Sequence, residues 1–369
     1  MREHVTHLRA DGRVTPEGNT AERPVLRICH LFSSQEVGGL EKHVQEQCSW
    51  QLHNTTAEVY VIAHPRYRAM FPAGVHFLAL NTDRSRRNPL LSLQLLRLLR
   101  RHQFDLVHTH GGKPANLMRD LQRWIRGKVV ITRHNIPHPR DSLAKHFPHR
   151  IAVSHRAISD SALEWRVIPN GTTLPLPGTS YREHLDAGRA AVISVARLVP
   201  AKGLDTLLRA WAMAQVGDAV LYLLGDGPLK GALQQLADEL KLGDRVRFVG
   251  YQPQVADWYS AADLMVIASR YEGGPYTVAE ALLAGCPVVS TDVGYVAENI
   301  PAQYLAGIDD VQGLAVSLTA ALGDREALRD NYSPYFARAR ARLTLDAMAK
   351  ETWQVYLEAL GQSGINAGG

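Results

Sequence analysis

Glu272-Gly-Gly-Pro-Tyr-Thr-Val-Ala-Glu280 is the stretch on which the reading of this chain turns. It lies between the apolar run Leu264–Ala268 and an alanine-rich stretch that closes at Gly285-Cys286-Pro287. The run has the length and composition of a buried strand, Gly-Gly-Pro those of a tight turn, and Thr277–Ala284 those of a helix. Glu272 therefore falls at the carboxyl end of a strand, ahead of a helix whose first N–H groups have no partner within the helix. Such an end attracts phosphate. Glu280 falls about one turn inside the helix, suited to accept hydrogen bonds from sugar hydroxyls and badly suited to a phosphate. Taken alone, the two acids are equally consistent with charges placed near a helix start to complement its dipole.

The upstream sequence separates these readings. Val192-Ile-Ser-Val-Ala-Arg197-Leu-Val-Pro-Ala-Lys202-Gly203 reads as a buried strand delivering two cations into a loop, followed by Leu204, Leu207, Leu208 and Trp211 at helical spacing. Fixed cations there can neutralise a diphosphate and the charge that builds on it as a sugar departs. Ala219–Leu224 and Gly225-Asp226-Gly227-Pro228 then read as a strand and a glycine-rich turn, and Val246–Gly250 as a short strand.

Arg197 and Lys202, the Gly-Asp-Gly-Pro turn, Arg247-Phe-Val-Gly250 and the Glu272/Glu280 pair ending in Gly285-Cys-Pro-Val-Val occur in one order. In that order they resemble the retaining GT-B glycosyltransferases of family 4, the glycosyl transferases group 1, with a lipopolysaccharide-core-like cast. The likeness is strong over Ala191–Ile300 and continuous back to Leu26. It implies an α/β fold of GT-B type, two Rossmann-like doubly wound domains facing across a cleft. It also implies a nucleotide-sugar donor, with the ribose on Glu280, the sugar oriented by Glu272, and the diphosphate on Arg197, Lys202 and the helix N–H groups near Thr277–Val278. Backbone at Val249–Gly250 would face the base.

Composition fits that frame. A chain of 369 residues suffices for two domains, each with its own core. A hydrophobic fraction of 46% with 21% charged residues describes an ordinary globular protein. No run approaches the roughly 20 apolar residues of a membrane span, and the first residues lack the apolar core of a signal peptide. Cys29, Cys48 and Cys286 lack zinc-ligand spacing and read as reduced thiols, so the expected location is cytoplasmic. Residues 1–190 hold 27 Lys and Arg against 16 Asp and Glu, the remainder 14 against 20, and all 16 histidines lie in the first part. The basic part suits an anionic surface such as inner-membrane lipid, giving an expected peripheral contact there. Aromatics interleaved for base stacking are scarce in it, which argues against nucleic acid.

The amino-terminal half alternates short apolar runs with helical patterns, as βαβ units on a parallel sheet do. Arg27–Phe32 reads as the first strand, and Gly38-Gly39 as the turn that opens a helix through Leu40, Val44 and Cys48. In the resembled family this loop faces the donor diphosphate and the acceptor. Residues 84–105 place six arginines around seven leucines, the pattern of a core-packed crossover helix with a solvated basic face. Phe104–Gly112 reads as a strand presenting His110 at its end, where ligands gather in doubly wound folds; the family has a comparable histidine close to the transferred sugar. Further strands end at Arg133-His134-Asn135 and Ile151-Ala-Val-Ser154, on the acceptor side. Pro137 and Pro139 rule out a helical His134/His138 metal pair.

The expected organisation is an extension over 1–24, an acceptor-binding domain over 25–172, a linker over 173–189, a nucleotide-sugar domain over 190–345, and a final segment, 346–369, whose helix returns to the first domain. The implied activity is retaining, metal-independent transfer of a sugar to a glycan or glycolipid of the bacterial envelope. No Asp-x-Asp motif demands a divalent ion for the phosphates. No cofactor is expected beyond the co-substrate, for which a UDP-sugar is the first expectation. Two alternatives stand beside it: a non-catalytic GT-B-like binding protein, and a metal-dependent hydrolase built on His108 and His110. A nicotinamide dehydrogenase is excluded, because Gly225-x-Gly227 lacks the third glycine and the later acid of that fingerprint. Tyr295, where many relatives carry a second glycine after Gly294, hints at a specialised pocket.

Overall fold

The computed structural model describes residues 25–35, 38–135, 138–173 and 185–362. The expected extension over 1–24, most of the linker and the tail 363–369 lie outside them.

The first sheet is built from β1 (Arg27–Phe32), β2 (Glu58–Ala63), β3 (His76–Ala79), β4 (Leu106–His110), β5 (Lys128–Arg133), β6 (His149–Ala152) and β7 (Arg166–Val167). Its helices are α1 (Gly39–Asn54), α2 (Pro89–His102), α3 (Gly112–Leu121) and α4 (Asp141–Ala144). The second sheet contains β8 (Ala191–Val195), β9 (Val220–Leu224), β10 (Val246–Gly250), β11 (Leu264–Ile267), β12 (Val288–Thr291) and β13 (Leu305–Ala306). Around it run α5 (Leu204–Met213), α6 (Lys230–Glu239), α7 (Val255–Ala261), α8 (Tyr276–Leu283), α9 (Val296–Asn299), α10 (Val311–Gly323) and α11 (Arg325–Arg342), with α12 (Leu345–Ala359) last.

The strand orders are β3-β2-β1-β4-β5-β6-β7 and β10-β9-β8-β11-β12-β13. Neighbouring strands run parallel in both. This is the doubly wound α/β architecture the sequence pattern implies. In each sheet the order reverses beside its first strand, between β1 and β4 and between β8 and β11. Helices after those two strands leave on opposite faces and open a crevice at the carboxyl ends, where such folds hold ligands. At the carboxyl ends of β1, β4, β8 and β11, from the last strand residue to the start of the next helix, stand Gly38-Gly39, His110, Arg197 with Lys202, and Glu272. The topology thus collects residues far apart in sequence.

The crossover pattern over 84–105 resolves into α2. Asn88 caps it through its side-chain oxygen, which accepts from Leu90 N at 2.9 Å, and Pro89 stands where its missing N–H costs nothing. Leu91, Leu95 and Leu99, four residues apart, are buried. Each contributes about 1.5–3 kcal/mol by leaving water. Leu90 and Leu93 fall off that stripe and stay 45% exposed, so the leucines are divided between core and surface.

The last helix, α12, packs on the first sheet. Met348, Trp353, Tyr356 and Leu357 share a buried cluster with Ile28, Trp50, Leu106, Val130 and Ile151. Thr344 caps it by accepting from Ala347 N. The three cysteines are free and buried. Among the described residues no helix is long and apolar enough to cross a membrane.

Candidate active site

β8 ends in an exposed Arg197 and a 3-10 turn over Pro200–Lys202. Gly203 follows at φ +58°, and a Cβ there would lie 2.0 Å from the Ala268 carbonyl. Only glycine lets this loop close on the end of β11. The closure brings Lys202 Nζ into an ion pair with Glu272 Oε1, to which Ser269 Oγ donates at 2.9 Å. Arg270 fastens the same junction. Its guanidinium reaches Asp205 at 2.8 Å, Asp309 at 2.7 Å and the Pro200 carbonyl at 2.6 Å, while its N–H donates to the Ala201 carbonyl. Of the catalytic residues expected from sequence, Lys202 and Glu272 are therefore in direct contact.

Glu280 lies on α8 at a different wall. Tyr259 OH donates to its Oε2 at 3.0 Å, and Oε1 ion-pairs with Lys42 of α1, across the cleft from the other sheet. These residues, with Glu46, Thr172 and the start of α7 at Gln254–Asp257, line a cavity of about 530 Å³. Glu46 accepts from Thr172 Oγ1 at 2.9 Å, and burial pushes its carboxyl up to about 7. Sequence reading missed Lys42, Glu46, Tyr259 and Arg270. The signal for two of them was Lys42 and Glu46 standing four apart just inside the helix that Gly38-Gly39 opens.

The amino end of α8 is held by the first domain. Ser154 Oγ donates to the Gly273 carbonyl at 2.9 Å, and Asn170 Nδ2 to the Gly274 carbonyl at 2.7 Å. A Cβ on Gly273 would lie 1.5 Å from the His134 carbonyl. Gly39 meets the Tyr276 ring, its built Cβ 3.5 Å away. Val278 is fully buried and its N–H turns back to the Pro275 carbonyl at 3.1 Å, which leaves Thr277 as the half-exposed member of that pair. On the far side, the Gly250 carbonyl accepts from Gly225 N at 2.8 Å, seating the Val249–Gly250 end of β10 beside the Gly-Asp-Gly-Pro turn.

Tyr295 does not shape a pocket. It is fully buried, its hydroxyl donates to the Pro275 carbonyl at 2.7 Å, and a Cβ on Gly274 would meet its ring at 2.9 Å. The ring braces the Gly-Gly-Pro turn from behind, so the hint of a specialised pocket is corrected to a structural prop.

His110 has no exposed surface. Its Nε2 lies 3.1 Å from His30 Nδ1 and its Nδ1 3.2 Å from His134 Nε2. His134, not His110, lines the cleft, on the wall of a cavity of about 430 Å³ shared with Gly39, Asn170, Glu272 and Gly273. His108 faces the other way, 2.5 Å from Tyr356 OH and 2.6 Å from Thr132 Oγ1. His108 groups with His30 and His110, but both its nitrogens are engaged within the protein, and among the described residues no carboxylate joins that group to serve as the base a His108/His110 hydrolase needs.

Two facing parallel sheets, each with a crevice at the carboxyl ends of its strands, make the GT-B architecture. The chain matches the family Glycosyltransferase Family 4 over residues 37–174 and the family Glycosyl transferases group 1 over 181–336, and it belongs to these GT-B glycosyltransferases. It is similar to the lipopolysaccharide core biosynthesis glycosyltransferase LpsE of Rhizobium meliloti, 31% identical over 224 residues, covering 58% of this chain. That match spans 63% of LpsE, under two thirds of its length. A glycosyltransferase of Rickettsia africae shares the fold at a TM-score of 0.77 and 17% identity, over 92% of this chain and all of its own. So does Anabaena Alr3699/HepE, solved in complex with UDP, at 0.76 and 21%, over 90% of this chain and all of its own.

Proposed function

We propose that the protein is a retaining glycosyltransferase that moves a sugar from a nucleotide-sugar, UDP-linked in the first instance, to a glycan or glycolipid of the bacterial envelope. The observation that carries this is the Lys202–Glu272 contact at the amino end of α8, with Glu280 eight residues further on at the wall of the same cleft. Cation, helix end and two acids match the parts of a nucleotide-sugar: diphosphate, sugar hydroxyls and ribose diol.

In this reading Arg197, Lys202 and the Thr277 end of α8 stabilise the departing diphosphate, with Val278 anchoring that turn. The same charge helps take the proton from the acceptor hydroxyl as the new bond forms on the face the leaving group vacates. Glu280 exchanges Lys42 for the ribose hydroxyls, Glu272 orients the sugar, and Val249–Gly250 backs the base. Gly38 and Gly39 let the first domain approach the donor. His110, acting through His134, borders the reacting centre. Fixed cations take the place of a divalent ion at the diphosphate. The name carried by LpsE supports a lipopolysaccharide-core acceptor, and the UDP in the HepE structure supports a uridine donor.

The test is incubation with UDP-, GDP- and ADP-sugars, without added magnesium or manganese, alongside truncated core oligosaccharides. Donor consumption should occur for one base, with the product's anomeric configuration, read by NMR, equal to the donor's. Inversion would end the retaining assignment. Tight nucleotide binding without turnover on any donor would favour a binding protein.

A further inference from the structure

Five histidines, His30, His43, His108, His110 and His134, cluster beneath the cleft face of the first sheet, with neighbouring ring centroids 4.1–5.6 Å apart. Their hydrogen bonds determine where the protons sit. Gln51 presents its Oε1 to His30 Nε2 at 3.0 Å. A carbonyl oxygen only accepts, so His30 carries its proton on Nε2 and has a lone pair on Nδ1. That lone pair takes the proton of His110 Nε2, leaving His110 Nδ1 as a lone pair. Asn170 does the same to His43. Its Nδ2 is committed to the Gly274 carbonyl, so its Oδ1, 3.0 Å from His43 Nδ1, accepts from that nitrogen and leaves a lone pair on His43 Nε2.

His43 Nε2, a lone pair with no partner, thus converges with His110 Nδ1 and His134 Nε2, which share one hydrogen between them and are the positions a metal ion would take over once the His134 proton sits on its Nδ1. One ring nitrogen from each of the three lies within 4.8 Å of those of the other two. His43 is only 3% exposed, and its Nε2 has no hydrogen-bond partner among the described residues. A buried acceptor without a partner is costly and calls for an explanation. The deeper group of His30, His108 and His110 lacks a partnerless nitrogen, because His30 Nε2 and both nitrogens of His108 are held by Gln51, Tyr356 and Thr132, none of them a member of the group.

We propose that His43, His110 and His134 form a binding site for a divalent transition-metal ion, zinc by preference, on the acceptor side of the cleft. The 3.2 Å between His110 Nδ1 and His134 Nε2 matches the ~3.3 Å edge of a tetrahedron with zinc–nitrogen bonds of ~2.0–2.1 Å. Asn170 and the Gln51–His30 relay supply the outer hydrogen bonds that orient metal-binding imidazoles and raise their basicity. Burial holds the three rings below the ordinary histidine range, His43 at about 4, so they are neutral ligands at neutral pH. With three protein ligands and His134 on the cavity wall, a fourth position faces the cleft and takes a water or an oxygen of the acceptor. The site is separate from the cations proposed for the diphosphate and stands whether or not transfer is the protein's activity.

The experiment uses full-length protein without a histidine tag, equilibrated with zinc, desalted and measured by plasma mass spectrometry. Wild type should retain about one zinc per chain. His43→Ala and His134→Ala should lower this to background, with circular dichroism confirming that both fold. Cobalt in place of zinc should give the visible absorption of a four-coordinate ion in wild type and lose it in both variants. Zinc should also raise the melting temperature of wild type and of neither variant. Metal content at background in wild type, or retained unchanged in both variants, overturns the proposal.

Discussion

Lys42 on α1 and Glu280 on α8 form an ion pair that joins the two sheets' domains across the cleft. The carboxylate that the sequence assigns to a ribose is thereby already engaged by a cation from the opposite wall. Lys42 is 36% exposed, and an ion pair that open to water contributes no more than about 1 kcal/mol. A nucleotide's diol can displace it at small cost.

Glu280→Ala is therefore expected to weaken nucleoside diphosphate binding about 10–100-fold, the loss of charge-assisted hydrogen bonds. Lys42→Ala is expected to change affinity by only a few-fold and to loosen the closed arrangement. Calorimetry gives the first quantity and small-angle scattering the second. Equal effects of the two substitutions on affinity would contradict the ribose assignment.

Lys202→Ala should act on turnover. Removing a cation aimed at developing charge costs on the order of 10²–10³ in kcat. It also releases Glu272, so Glu272→Gln in the Lys202→Ala background should add less than it does alone. Steady-state kinetics on the four proteins of the cycle measures the coupling, and strict additivity would show that the contact is incidental.

Gly273→Ala places a Cβ 1.5 Å from the His134 carbonyl, a clash that only separation of the two walls relieves. The expected result is at least a tenfold drop in kcat/KM with little change in the melting of either core, because the strain falls at the junction. A wild-type rate for this variant would mean that the closed arrangement is not the working one.

Glu46 makes stability depend on pH. Its folded value near 7 lies above the ~4.3 of a free glutamate. The folded protein therefore holds an extra proton between those values, and stability falls as pH rises through that window, by at most about 4 kcal/mol above pH 7. Glu46→Gln removes the titration. Urea unfolding at pH 5 and pH 8 should show a smaller difference for the variant than for wild type, and identical differences would refute the burial of this charge.

The outer face of α2 sets Leu90 and Leu93 with exposed Arg97, Arg100 and Arg101, and exposed Arg86 and Arg87 stand just ahead of the helix. Cations of this kind near an anionic surface contribute about 1 kcal/mol each, fading with salt. Co-sedimentation with phosphatidylglycerol vesicles should be seen at low salt and lost at high salt, and should fall sharply on Arg86→Glu/Arg87→Glu/Arg97→Glu. Equal binding to neutral vesicles would end the idea of an electrostatic membrane contact.

What the sequence alone determined was everything that depends on short-range pattern. Periodicity and turn residues placed β1 and β10 at the bounds observed and α8 within one residue, since a buried strand or an amphipathic helix is written in neighbouring residues. The order of the Arg197, Lys202, Gly-Asp-Gly-Pro, Glu272 and Glu280 motifs carried the family and, with it, the second crevice. Tertiary structure decided what meets across the cleft. Lys42 and Glu280 are 238 residues apart, and no local pattern announces that their walls face each other. His110 illustrates the same limit: its place at the end of β4 was legible, but its burial behind His134 follows from how β1, β4 and β5 lie side by side. Tyr295 read as a pocket residue from its position in the chain, and packing turned its ring into the support of a turn. Hydrophobic and turn signals act over a few residues, whereas charge pairing and proton placement act over ångströms between distant ones, and only the folded chain brings those ångströms into being.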